Sequence, residues 1–182
     1  RCAYTVDGTR FWLAGTNGAG QELTGGLRYC LLGATSSTRL STDTISHRLF
    51  VSFANQLYSS PASSGQFGVS QVGTGLPTTP PQPVTLLPGF PETGASFSGF
   101  AFLDADTLYT AEDNTNNSAY GVQKWTRSAG VWSRAYGMHE NLLAGARRLC
   151  LRTEGGQTVI YALSSEATAN RLVRIVDQGP LS

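Results

Sequence analysis

Charge is scarce in this 182-residue chain, where Asp, Glu, Lys and Arg together make up 14% against about 25% in an average soluble protein. The signs nearly balance, with 13 Lys+Arg against 12 Asp+Glu and a net charge of +1. No electrostatic field of one sign therefore draws the chain to nucleic acid or to an anionic membrane. Lysine is almost missing: Lys124 stands alone among 12 arginines, a bias expected of a GC-rich genome. Cysteine is thin as well. Cys2, Cys30 and Cys150 are widely spaced with no CxxC pair, and a structural zinc site wants about four Cys/His ligands, usually in close pairs. Cys30 and Cys150 sit in apolar, strand-like runs and read as buried free thiols. The alternative for Cys2 is a disulfide to a segment outside the chain, in an extracellular setting. No apolar run approaches the roughly 18 residues of a membrane span. No stretch of about a dozen residues holds a helical period, and Asn141–Ala146 offers one turn at most. The opening, Arg1-Cys2-Ala3-Tyr4, has neither an initiator Met nor a leader and begins as a strand would, so the chain reads as a fragment or processed form.

What the chain does contain is β-forming material. Hydrophobic residues reach 40%, with Gly 21 and Tyr 7, a composition of folded sheets rather than of a disordered tail. Four apolar segments carry an aromatic at a matching place: Trp12 in TRFWLAGT, Tyr58 in QLYSSPA, Tyr109 in TLYTAED and Tyr161 in TVIYALSS, at spacings of 46, 51 and 52 residues. Each is preceded by another strand-like segment (RCAYTV, RLFVSFA, GFAFLDA, RLCLRTE) and followed by a third (GGLRYCLLG, FGVSQVG, YGVQKWTRS, NRLVRIVD). Dipeptides such as Asp7-Gly8, Asn17-Gly18 and Gly155-Gly156 punctuate them as turns. Fourth strands are expected at 38–42, 84–87 and 131–137, while the last unit stops after its third strand, near Asp177.

Four antiparallel strands returning every 40–50 residues form the pattern of a β-propeller blade. One such sheet cannot bury both faces alone, and stacking sheets radially does so. The expected fold is therefore all-β, with about four blades at 1–44, 45–89, 95–140 and 145–179 of a larger propeller; a β-sandwich is the alternative. In this reading Trp12, Tyr58, Tyr109 and Tyr161 are the repeating core aromatics between sheets. Trp125 and Trp132 flank the turn at 128–130 and are expected to pair across a hairpin. The proline-rich stretch 76–94 is expected to be an outer connection or surface strip.

The segments DGTRFWLAGT, GGLRYCLLGATSST, LYSSPASSGQFGVSQVGTGLPTT, LLPGFPETG, DTLYTAED and GVQKWTRSAGVWS follow one another in an order that resembles the kelch-like or YVTN-like β-propeller regions of large secreted multidomain proteins, bacterial or algal. The resemblance runs from Val6 to Asp177, and the string 57–79 is its most specific part. It implies an extracellular location and a place within a longer polypeptide, and it supplies no catalytic motif.

Candidate chemistry is sparse. Asp113, Asn114 and Asn116 could offer oxygen ligands to calcium. The neighbouring Asp104 and Asp106 belong to the other end of an intervening strand, which argues against one shared site, and Asx-type turn capping is the simpler role. Asn116-Asn117-Ser118 is a glycosylation sequon at Asn116 if the chain passes through a eukaryotic secretory route. His47 and His139 are the two histidines, and no GxSxG elbow accompanies them. Asp104, Asp106, Glu112 and Asp113 supply carboxylates for glycosidase chemistry without a geometry. The expected function is a non-enzymatic, extracellular structural or protein-interaction module. A carbohydrate-binding propeller and a propeller hydrolase or lyase are the alternatives, separated by glycan binding through an exposed Trp and by convergence of His and Asp side chains.

Overall fold

The computed structural model describes residues 2–18, 24–43, 46–62, 65–116 and 120–180. They form an all-β structure of four antiparallel sheets, with no helix among the described residues. Every sheet is a simple meander of consecutive strands. The first contains β1 (Cys2–Thr5), β2 (Arg10–Gly15), β3 (Gly26–Leu31) and β4 (Thr38–Arg39). The second contains β5 (His47–Phe53), β6 (Gln56–Pro61), β7 (Ser70–Val72) and β8 (Val84–Leu86). The third contains β9 (Phe97–Phe102), β10 (Thr107–Glu112), β11 (Gly121–Ser128) and β12 (Val131–Met138). The fourth has three strands, β13 (Ala146–Glu154), β14 (Gln157–Ser164) and β15 (Leu172–Val176).

The chain divides into two compact units, Arg1–Thr93 and Gly94–Ser182. In the first, the first two sheets meet through β1, β2 and β5. Their shared core is Trp12, Ala14, Leu27 and Leu40 from one sheet and Phe50, Leu57, Val72 and Val84 from the other. The second unit repeats the scheme with β9, β10 and β13. Its core holds Tyr109, Ala111 and Val122 with Leu142, Ala146, Ile160 and Ala162. Trp12 and Tyr109 are completely buried, as the repeat of aromatics leads one to expect.

Tyr58 and Tyr161 depart from that expectation, because both are only half-buried. Their sheets bury Leu57 and Ile160 instead. A strand's side chains alternate between faces, so an offset of one residue moves the aromatic to the other side. Register shifts between His47 and Phe50 and between Ala146 and Arg148 occur in the pairings beside these strands. The Tyr161 hydroxyl is spent on Glu154 Oε1 at 2.9 Å, in the surface pair that Glu154 makes with Arg174.

Other local expectations are also revised. Trp125 and Trp132 do not face each other across the β11–β12 hairpin; Trp125 is opposite Arg134, and Trp132 is opposite Arg127. Trp125 packs edge-on against Phe97 at 5.9 Å and donates its indole N–H to Thr110 Oγ1 at 3.1 Å, while Trp132 packs edge-on against Phe102 at 6.0 Å. The proline-rich stretch is more than an outer connection. Besides β8, which falls in the strand expected at 84–87, it holds Phe90 at 5% exposure, and its Pro77 carbonyl accepts the Trp12 indole N–H at 2.7 Å. Cys150 is exposed and Cys30 half-buried, so the apolar flanks of these thiols misstate their depth. Strand alternation is again the reason: in β13 the side chain at 150 takes the outward face.

Between the third and fourth sheets the chain turns at Gly145, with φ +85°. A Cβ there would lie 2.7 Å from Glu112 O and 2.9 Å from Asp113 Cα. Alanine must therefore adopt an unfavourable backbone region and push main chain aside. Gly145→Ala is expected to lower the unfolding free energy by about 2 kcal/mol, measured by urea denaturation; an unchanged midpoint would show that this turn relaxes freely.

Candidate functional site

A polar cluster of the second unit gathers around Lys124. Strand β11 carries it in the run Val122-Gln123-Lys124-Trp125, where Val122, Gln123 and Trp125 are buried. Pairing sets it opposite Tyr109 on one side and Tyr136 on the other. The ammonium lies 5.7 Å from the Tyr109 ring centre and 5.4 Å from that of Tyr136. Asp177, just past the end of β15, completes the group. Its Oδ2 accepts from Lys124 Nζ at 2.8 Å and from the Tyr109 hydroxyl at 2.5 Å, and its Oδ1 accepts from the Tyr136 hydroxyl and from Gly179 N. The Asp177 side chain is 5% exposed.

The electrostatics follow from this geometry. Burial alone would raise the Asp177 carboxyl, but the hydrogen bonds from Lys124, Tyr109 and Tyr136 outweigh it and hold the group at about 2. Burial, then the adjoining Asp177 carboxylate, pushes the Tyr109 phenol up. Tyr136 is raised for the same two reasons in the same order. Burial works against the Lys124 charge, yet its hydrogen bonds to Asp177 and Tyr136 raise it above the ordinary lysine value. A phenol so raised stays protonated and is a poor acid, and a lysine so raised stays charged and is a poor nucleophile. The cluster is a clamp that ties the segment after β15 to the third sheet.

Beside this clamp lies a cleft of about 560 Å³. Its floor includes Met138, Val173 and Ile175, and its rim includes His139, Arg174 and Gly179. Met138, Val173 and Ile175 are partly buried against the second unit's core, so the cleft opens directly onto apolar packing. It runs along β15, which among the described residues pairs only with β14.

The residues singled out from sequence are placed differently. Glu112 is completely buried and accepts Ser96 N at 2.9 Å on both oxygens, with Asn114 N at 2.8 Å on Oε1. Asp113 accepts the Ser98 hydroxyl at 2.7 Å. Asn114 accepts Asn116 N at 3.2 Å and donates to Gly94 O at 3.0 Å. The oxygens of Asp113 and Asn114 thus have internal donors, and among the described residues no three His, Cys, Asp or Glu side chains gather as metal ligands. Asn116 is exposed, but Asn117 and Ser118 of its sequon lie outside the described residues. Asp104 and Asp106 shape the β9–β10 turn, with Asp106 N donating to Asp104 Oδ1 at 2.8 Å and Arg127 Nε to Asp106 Oδ1 at 2.9 Å.

His47 belongs to the first unit, completely buried, 5.3 Å from the Phe50 ring and 3.3 Å from Ser59 Oγ. His139 belongs to the second, exposed at the cleft rim with its ring 5.4 Å from that of Tyr120. All three tryptophans are buried, at 0%, 5% and 3% exposure for Trp12, Trp125 and Trp132, so none is a platform for a sugar face. Sequence reasoning missed the Lys124–Asp177 clamp, although the one lysine of the chain, set inside an apolar strand, was a signal for it. Compared with known proteins, the chain matches no family model, no curated protein and no solved structure.

Proposed function

We propose that this chain is a non-enzymatic interaction module of an extracellular assembly, with its four sheets serving as blades of a kelch-like propeller. Support for the blade arrangement comes from each unit separately. The first two strands of one sheet pack on the first strand of the next, β1 and β2 on β5 and again β9 and β10 on β13, which is the order successive blades adopt around an axis. The observation that carries the interaction reading is the cleft along β15, with an apolar floor, a polar rim and a strand that is paired on one side only among the described residues. Concave apolar sites with a few polar groups are where proteins take ligands, and an exposed strand edge favours polypeptide over sugar.

Display selection with a random peptide library, run beside a glycan array, tests this. Peptides that compete with one another and are lost on Gln178→Trp, which places a bulky ring at the cleft mouth, are the expected result. Glycans lost on the same substitution would instead establish the carbohydrate-binding alternative, and no cleft-directed ligand of either kind would overturn the module reading.

A further inference from the structure

The junction that Lys124 occupies has a counterpart in the first unit, closed by different chemistry. Across β2, β3 and β4 one row of paired residues is Trp12, Tyr29 and Thr38; across β10, β11 and β12 the corresponding row is Tyr109, Lys124 and Tyr136. In each row the first aromatic is completely buried and donates to the segment that follows the third strand of the next sheet. Trp12 gives its indole N–H to the Pro77 carbonyl at 2.7 Å, and Tyr109 gives its hydroxyl to Asp177 Oδ2 at 2.5 Å. One neutral hydrogen bond therefore meets what the first unit requires at this place. The second unit has an ammonium, two phenols and a carboxylate there. A desolvated ion pair is weak evidence of a stabilising role, since a neutral or apolar pairing of similar volume is often as stable.

Three of the four groups form a socket without the fourth. Lys124, Tyr109 and Tyr136 sit directly opposite one another on adjacent strands, so the ladder fixes their spacing. The ammonium lies over both rings, and each of the three directs a donor at one carboxylate. Asp177 enters the socket by its side chain alone. Its main chain is held separately, by Asp177 N donating to Thr158 O at 2.9 Å. A rotation about the Asp177 Cα–Cβ bond withdraws the carboxylate, gives up the contact with Gly179 N at 3.1 Å and leaves the ladder bond intact. The Lys124 side chain is 23% exposed, so the socket is open to solvent on one side.

We infer that Lys124, Tyr109 and Tyr136 form a carboxylate-binding site for an aspartate or glutamate side chain of a partner polypeptide, closed in this structure by the chain's own Asp177 as an internal competitor. The donors reach both oxygens of one group, Oδ2 from Lys124 and Tyr109 and Oδ1 from Tyr136. Such charge-assisted, two-oxygen recognition selects a carboxylate over a chloride ion or a neutral amide. Exchange of one carboxylate for another leaves Lys124 paired in both states, and so avoids the stranded charge that simple opening would create.

Lys124 is the one lysine of the chain, so isotope labelling of lysine Nζ gives a single NMR signal from the socket itself. The probe is acetate, titrated against the full chain. In Asp177→Ala, acetate is expected to shift that signal saturably and sodium chloride at equal ionic strength is not. Adding Tyr136→Phe should weaken acetate binding about tenfold. With Asp177 present as a tethered competitor, the same shift should need at least about tenfold more acetate. No saturable shift in Asp177→Ala, or an equal one with chloride, would overturn the site. The same acetate response with and without Asp177, or none with Asp177 at molar acetate, would overturn its role as an exchangeable competitor. Should Asp177→Ala be unfolded in chloride, acetate is expected to restore its folding, and failure to do so would overturn the site as well. The signal is read at Lys124 and not in the cleft, so a failed peptide selection leaves this result standing.

Discussion

Trp12→Ala is expected to cost about 4 kcal/mol of unfolding free energy, the largest effect of any single substitution considered. Trp12 is fully buried among residues of two sheets, and its ring lies 6.5 Å from Tyr4 and 5.8 Å from Tyr29. Alanine leaves a cavity at that junction and also strips the Pro77 carbonyl of its indole donor, a further cost for a buried acceptor. The comparison that gives the measurement meaning is Tyr58→Ala. If aromatic spacing alone decided the core, the two substitutions would cost the same. Half-burial of Tyr58 predicts a loss of about 1 kcal/mol, whereas Leu57→Ala beside it should cost about 3 kcal/mol. Urea unfolding of the three variants checks the order. A Tyr58→Ala loss equal to that of Trp12→Ala would return Tyr58 to the core.

Lys124→Met should lower stability by about 3 kcal/mol at neutral pH, because removing one member of a desolvated ion pair strands the other. Asp177 would keep its charge beside two phenols with no cation. Adding Asp177→Asn removes that charge, and the double variant is expected to regain part of the loss. Acid titration gives an independent reading. The Asp177 carboxyl is lowered from 3.8 to about 2 in the folded chain. Its contribution is therefore fully present above its unfolded value and is lost as the pH falls from about 4 toward 2. In Lys124→Met one of the hydrogen bonds that lower the Asp177 carboxyl is gone, so acidification should cost the variant less stability than it costs the wild type. Denaturation midpoints at pH 7 and pH 3 would converge. A wild-type stability that is flat between those values would remove the clamp from the account.

Strand positions were legible because their causes are local. Alternation over four to eight residues, bounded by glycine and Asx turns, marks a strand wherever it lies. Even short β4 and β8 fall within the segments 38–42 and 84–87 expected for them. Which face a strand buries was less legible, because alternation gives the period of a strand but not which of its two faces meets the neighbouring sheet. The face of Cys150 escaped for a related reason: RRLCLRT is apolar enough to suggest burial, and only the sheet tells which side is covered.

The site was legible to a smaller degree. Asp177 and Lys124 are 53 residues apart and Tyr109 and Asp177 68, and no spacing rule joins them. The Asp/Asn-rich run at 112–116 was conspicuous for its composition, yet turn chemistry uses those side chains to satisfy backbone donors. A loop that needs its own oxygens looks, in sequence, like one that offers them.

The meander layout also bears on how the chain acquires its structure in time. Among the described residues the hydrogen-bonded ladders join strands adjacent in sequence, and the strands of each sheet lie within roughly forty residues. Folding rates fall as contacts become less local, so this arrangement avoids the long loop closures that slow most β proteins. The less local contacts are those between one sheet and the next, which join residues of different sheets in each core. Substitutions in the hairpin turns should then alter folding rates little, while those at Trp12 and Tyr109, where sheets meet, should govern them.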